Sequence, residues 1–166
     1  MIRKFYSRHG FTLLELMTVV VIIGIMAAIG IPTFDSAIKK VRFKSDSNTM
    51  LAGLRKARSQ AISKRMQCGV SFDPSNNVFS VFEDQADPEN FTFDAGDSVI
   101  VVDTMGRGIQ AFATSFADNL VFFFPDGTAS LSGTINGTAT WDENQALIQI
   151  SVLAATGRVK VDSLRY

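Results

Sequence analysis

Between Phe11 and Ile31 the chain reads FTLLELMTVVVIIGIMAAIGI, twenty-one residues in which Glu15 is the only charge. Wound as a helix, such a run rises about 31 Å and matches a hydrocarbon core of about 30 Å. The ten residues before it carry Arg3, Lys4 and Arg8 and no acid. Cations on that flank hold the N-terminus on the cytoplasmic side. A secretory signal has a shorter apolar core followed by a small-residue cleavage site. Here the block is long and continues into helix-like sequence, with no A-x-A site after it. The pattern predicts one crossing of a membrane, with the rest of the chain on the far side from the cytoplasm.

Glu15 narrows the reading. A carboxylate inside a membrane helix costs about 2.5–3.5 kcal/mol on insertion scales and marks a function or a partner. The string Gly10-Phe11-Thr12-Leu13-Leu14-Glu15 closely resembles the cleavage motif of type IV prepilins. The resemblance implies that a prepilin peptidase cuts between Gly10 and Phe11 and methylates Phe11. It also implies that Glu15 pairs with the terminal amine of a neighbouring subunit during docking. Two charges, each costly alone in lipid, become tolerable when they pair across a subunit boundary. Pro32 stands where pilin-like proteins commonly carry a proline. It removes one helical hydrogen bond and is expected to kink or break the helix there.

A neutral total charge hides a division. Residues 35–65 hold nine Lys or Arg and two Asp, a balance of +7, whereas residues 66–156 hold twelve acids and only Arg107, a balance of −11. Phe34, Ile38 and Val41, then Leu51, Leu54, Ala57 and Ala61, recur at helical spacing, and no glycine interrupts residues 34–52. One helix from about residue 12 to 65 is predicted, its second half packing under a head. The cations Lys39, Lys40, Arg42, Lys44, Arg55, Lys56, Arg58, Lys64 and Arg65 are read as its solvated face rather than as a nucleic-acid surface.

From Met66 the chain turns to short β-rich runs. QCGVSF and VFSVFE flank Asp73-Pro74-Ser75-Asn76-Asn77, a hairpin loop; Pro125-Asp126-Gly127 is read as a second, joining NLVFFF to TASLS. DSVIVVD, TATWD, ALIQISVLA and RVKVDS complete the strand candidates, and residues 84–97 are too polar for core and read as a surface loop. Seven or eight strands on one helix give an α+β architecture. The expected organisation is a leader over 1–10, a membrane or filament-core helix over 11–31, its amphipathic continuation over 32–65, and a β-rich periplasmic head over 66–166.

The head resembles the GspH/FimT family of minor pseudopilins and minor pilins. The likeness rests on the turn Phe123-Phe124-Pro125-Asp126-Gly127 and on Ile148-x-Ile150 through Thr156-Gly157-Arg158-Val159-Lys160-Val161. It implies a pilin-like fold and a structural subunit of a type II secretion pseudopilus or a type IV pilus, with other pilins, the peptidase and the inner membrane as partners. Some FimT-like members bind DNA through a basic Gly-Arg-x-Arg ending. The matching residues here are Gly157, Arg158, Val159 and Lys160, with Arg165 close by. Lysine in the last place loses the bidentate fork of arginine, and Asp162 weakens the patch. The plainer reading of this ending is an edge strand kept solvated by charge.

No catalytic centre or cofactor site is legible. The one histidine, His9, lies before the expected cut, which removes most metal sites and general-base schemes. Asp94, Asp97 and Asp103 are not spaced as an oxygen-ligand loop. Gly106-Arg107-Gly108 reads as a loop rather than a phosphate cradle. Cys68, the single cysteine, has no disulfide partner in the chain and reads as a small apolar strand residue.

Overall fold

The computed structural model describes residues 10–141 and 144–165; the side chains of 29–33 and 144 are outside that description, as is the expected leader from Met1 to His9. The chain forms two compact units, residues 1–37 and 38–166. A single helix, α1 (Leu13–Lys64), contributes to both. Thr12 starts it: its hydroxyl accepts the Glu15 N–H at 3.2 Å and its carbonyl accepts the Leu16 N–H at 3.2 Å. Thr-x-x-Glu is the capping-box signature of a helix N-terminus. The helix is unbroken at Pro32. Of the two outcomes expected there, the break does not occur, because a proline withholds only its own N–H from the ladder. Arg65, at φ 55°, ends it in the left-handed region.

In the first unit the apolar side chains from Leu13 to Met26 lie exposed. Thr18 returns its hydroxyl to the carbonyls of Leu14 and Glu15 at 2.8 and 2.9 Å. Among the described residues no helix is long and apolar enough to cross a membrane.

The second unit carries the core. Phe43, Ser47, Met50, Leu54, Ala57 and Ala61 are buried, a stripe whose steps alternate between four and three residues. Val41 and Phe34 are exposed and Ile38 only half-buried, contrary to the packing expected of them. Val41 lies about 200° around the helix from Phe43, so burying one exposes the other.

Eight strands follow: β1 (Cys68–Asp73), β2 (Val78–Glu83), β3 (Ser98–Thr104), β4 (Ala111–Thr114), β5 (Leu120–Phe123), β6 (Gly133–Trp141), β7 (Asn144–Leu153) and β8 (Arg158–Arg165). They form two antiparallel sheets, ordered β3-β2-β1-β5 and β4-β6-β7-β8. The β1–β2 hairpin closes as read from sequence: Asp73 Oδ1 accepts the N–H groups of Ser75 and Asn76, and Asn77 takes φ 53°. TASLS is not a strand. Only Ala129 bridges back, to Phe123, while β4 forms where no strand was expected.

Both sheets meet α1 and each other. Phe79 of β2 packs on Gly53, where an added Cβ would stand 2.4 Å from the ring. Phe43 meets Trp141 of β6 at 6.3 Å between centroids, and Phe72 of β1 stacks on Phe116 at 6.0 Å. A second aromatic cluster covers the other face of the first sheet. Gly69 leaves room for Phe82 opposite it, and Phe82 meets Phe93 at 4.5 Å and Phe122 at 5.7 Å, while Phe91 meets Phe122 and Phe124. Residues 84–97 are thus a surface loop whose two phenylalanines pin it to the sheet. The expectation from polarity missed that anchor.

Candidate functional site

Gly10, Phe11 and Thr12 lie before the first helical residue, and Gly10 and Phe11 are exposed. The Gly10–Phe11 bond therefore sits in non-helical backbone. Glu15 stands exposed in the first turn, where the helix dipole favours a negative charge. Its placement next to the Thr12 cap was readable from the Thr-x-x-Glu spacing. Pro32 keeps its place in α1, its side chain outside the description.

The basic ending comes together more fully than alternation predicts. Between β7 and β8 the register shifts at Gln149/Ile150, leaving Asp162 unmatched. Arg158, Lys160 and Arg165 then stand opposite Leu153, Ser151 and Leu147, all on the face away from the buried Ile148, Ile150 and Val152. Regular alternation would have sent Arg165 to the opposite face. Asp162 opposes the patch, as expected. It pairs with Lys160 at 3.1 Å, and the Ser151 hydroxyl and that ammonium hold its carboxyl below the usual range.

The two glycine turns that carried the family likeness meet at one helical arginine. Gly127 and Gly157 both take positive φ, 85° and 57°. An added Cβ on Gly157 would stand 2.1 Å from the Gly127 oxygen. Arg58 donates from Nε to that oxygen at 3.0 Å and from Nη2 to the Thr156 carbonyl at 2.9 Å. Ala129 N–H donates to the Ala154 carbonyl at 2.8 Å, tying the same two turns by backbone. Arg58 is thus a structural lock. Sequence reasoning placed it on the solvated face with the other cations.

Asp46 does comparable work farther up α1. Its Oδ2 accepts the N–H groups of Gly108 and Ile109 at 2.7 and 3.0 Å. Gly108 lies so close to the helix that a Cβ would meet the Arg42 carbonyl at 2.3 Å. The Gly106–Gly108 loop is a loop, as read, and Asp46 fills the place an anion would need. In the polar loop, Asp97 accepts the N–H groups of Gln85, Ala86 and Asp94, and Asp94 accepts from Asn90 and Thr92. These carboxylates hold the loop together. At the far end of α1, Lys64 pairs with the buried Glu83. Cys68 is buried, and desolvation, then the Glu83 charge, pushes its thiol up to about 11. Such a thiol is inert at neutral pH.

Comparison with known proteins agrees with this layout. Residues 6–31 match the prokaryotic N-terminal methylation motif. The chain is similar to the minor pseudopilin EpsH of the type 2 secretion system of Vibrio cholerae, at 14% identity and a TM-score of 0.56 over 72% of this chain and 95% of that one. It is equally similar in fold to the type IV minor pilin FimU of Pseudomonas aeruginosa, at 16% identity and a TM-score of 0.56 over 76% of this chain and 92% of that one. The α+β pilin-like architecture is therefore common to a secretion system and a type IV pilus. Residues 46–156, which span β1 to β7, Arg58 and the two carbonyls it binds, match type II transport protein GspH, and the chain belongs to that family of minor pseudopilins and pilins.

Proposed function

We propose that the protein is a low-abundance subunit of an inner-membrane-anchored filament, cut between Gly10 and Phe11 by a prepilin peptidase and methylated on Phe11. The observation that carries this reading is the methylation motif over residues 6–31, in which the described start of α1 is capped by Thr12, holds Glu15 in its first turn and leaves its apolar side chains from Leu13 to Met26 exposed. An apolar helix of that kind needs lipid or neighbouring helices around it. Phe11 to Ile31 serves first as the membrane span and then as the packing segment within the filament. Glu15 meets the amine of a neighbouring subunit there, and Pro32 marks where this segment gives way to the amphipathic half. The head stands in the periplasm, and other pilins are its partners.

Expression of the full chain with and without an active prepilin peptidase, followed by intact mass, tests the proposal. Loss of residues 1–10 with one added methyl is expected. An unprocessed chain beside active peptidase would overturn it.

A second reading adds DNA capture by Arg158, Lys160 and Arg165. The register shift that brings the three to one face of β8 supports it. Two or three phosphate contacts give weak, salt-sensitive binding without sequence preference. Full-length protein in detergent should retard duplex DNA at low salt, and the triple alanine variant should not; equal retardation by both would remove the assignment.

A further inference from the structure

Beside the Arg58 lock, α1 and β8 enclose a cleft of about 350 Å³ lined by Arg55, Arg58, Ser59, Ile62, Arg158 and Val159. Three guanidinium groups border it and no carboxylate does. Arg58 spends its Nε and Nη2 on neutral carbonyls. Among the described residues, the side chains of Arg55 and Arg158 have no ion-pair or hydrogen-bond partner. Three like charges around one concavity repel each other unless an anion enters, and the guanidinium fork matches a carboxylate in two-bond geometry.

We infer that this cleft receives an acidic side chain of a neighbouring pilin subunit; the inference rests on the filament-subunit reading. Two features select a protein carboxylate over a nucleic-acid phosphate. Ile62 and Val159 supply apolar wall on which the methylenes of a glutamate pack, for which a phosphodiester has no counterpart. The volume also suits one or two side chains in a concavity, whereas a duplex backbone is tracked by an open row of cations such as the outer face of β8. The complementary chemistry is present in this chain itself. Residues 66–156 hold twelve acids to one arginine, and Asp87 and Glu89 are exposed in a polar loop. A neighbour built to the same charge plan offers such a loop to the basic cleft.

The test places p-benzoyl-phenylalanine at position 59, on the exposed rim of the cleft, in the full chain co-expressed with its companion pilins and the peptidase. After irradiation, the cross-linked peptide is identified by mass spectrometry. A pilin-subunit peptide containing Asp or Glu is expected, with its yield falling at least tenfold when Arg55→Glu and Arg158→Glu are combined. Restoration of the yield by Lys in place of the captured acid would complete the assignment. The near-ultraviolet spectrum of Trp141 checks that the double variant is folded. A cross-link to nucleic acid, to any other peptide, or none would overturn the inference, as would a yield insensitive to charge reversal. Because processing at Gly10 is read in the same samples by intact mass, loss of the cleft contact is distinguished from failure of the subunit reading.

Discussion

Replacing Gly157 with alanine tests whether the two turns and Arg58 act as one lock. The new methyl would stand 2.1 Å from the Gly127 oxygen and 3.0 Å from Arg58 Nε. Carbon and oxygen rarely approach closer than about 3.3 Å, so the Gly127 turn must withdraw by roughly 1 Å. That withdrawal takes its carbonyl out of reach of Arg58 Nε, now at 3.0 Å. A hydrogen bond to a charged group contributes about 1.5–3 kcal/mol. The left-handed backbone at φ 57° costs an L-residue about 1–2 kcal/mol more. The sum is about 2.5–5 kcal/mol, a large share of a typical 5–15 kcal/mol. At about 2–4 °C per kcal/mol for a chain this long, melting should fall by about 5–20 °C. Fluorescence of Trp141, the only tryptophan and buried against Phe43, reports the transition in detergent. Gly127→Ala is the control. Its φ is also positive, but its methyl meets the end of Ile62 at 3.2 Å and Arg58 Nη2 at an ordinary contact of 3.4 Å, so the strain of about 1–2 kcal/mol dominates. In an Arg58→Ala background, Gly157→Ala should cost less by the share of that hydrogen bond, because the bond it breaks is already gone, while the strain and the displaced Gly127 turn remain. Equal costs with and without Arg58, or a Gly157→Ala no worse than Gly127→Ala, would refute the lock.

Three further outcomes are expected. Asp46→Ala strips the acceptor from two N–H groups at the Gly106–Gly108 loop and should destabilise the second unit by about 1.5–3 kcal/mol in urea titration. Asp84→Asn and Asp126→Asn should move melting in opposite directions at pH 7. Burial, then Asp97, Asp87 and Asp94, raises the Asp84 carboxyl, so its charge opposes folding at neutral pH and the cost lifts as pH falls through the raised value. The Thr128 hydroxyl and N–H lower Asp126, so its contribution is present above the ordinary value of 3.8 and is lost on further acidification; identical shifts at pH 7 would contradict the signs. Glu15→Gln retains an uncharged acceptor at the helix start but not the charge, so helix content should be unchanged while incorporation into the sheared filament fraction drops; normal incorporation would show that the charge is dispensable for docking.

The helix was legible because its signals are local. A block whose one charge is Glu15 and the helical spacing of Leu51, Leu54, Ala57 and Ala61 each read in one dimension, and α1 ends within a residue of the expected limit at 65. The hairpin at Asp73–Asn77 was legible for the same reason, since an Asp side chain bonding its own turn needs no distant partner. The β4 strand was missed because AFAT is four residues long and finds its order only by pairing with β6. TASLS failed in the opposite way: its alternation is strand-like, yet the segment bends from Phe123 toward Ala154. At the site, Gly10, Phe11 and Glu15 form a contiguous motif, whereas the Arg58 lock joins residues 69 and 98 positions apart. A list of cations on a helix cannot tell which one finds carbonyls across the fold.

The sheet edges show how a filament subunit can hold eight strands without polymerising through them. An open edge offers unpaired N–H and C=O groups to any other strand. On β3 the register shift at Val81/Phe82 leaves Ile100 unmatched, and a bulge there bends the edge. On β8 Asp162 is unmatched in the same way, and Arg158, Lys160 and Arg165 flank it on the outer face. The β4 edge is only four residues long. Residues 128–130 cover β5, with Phe124 N–H donating to Thr128, Ser130 N–H to Phe122, and the Ser130 hydroxyl accepting from Phe122. All four edges are thereby shortened, bulged or covered. The apolar helix from Leu13 to Met26 stays bare. In the filament we propose, association falls to this helix, with Glu15 setting its register, and to the arginine-lined cleft, while the charged outer face of β8 keeps that edge solvated.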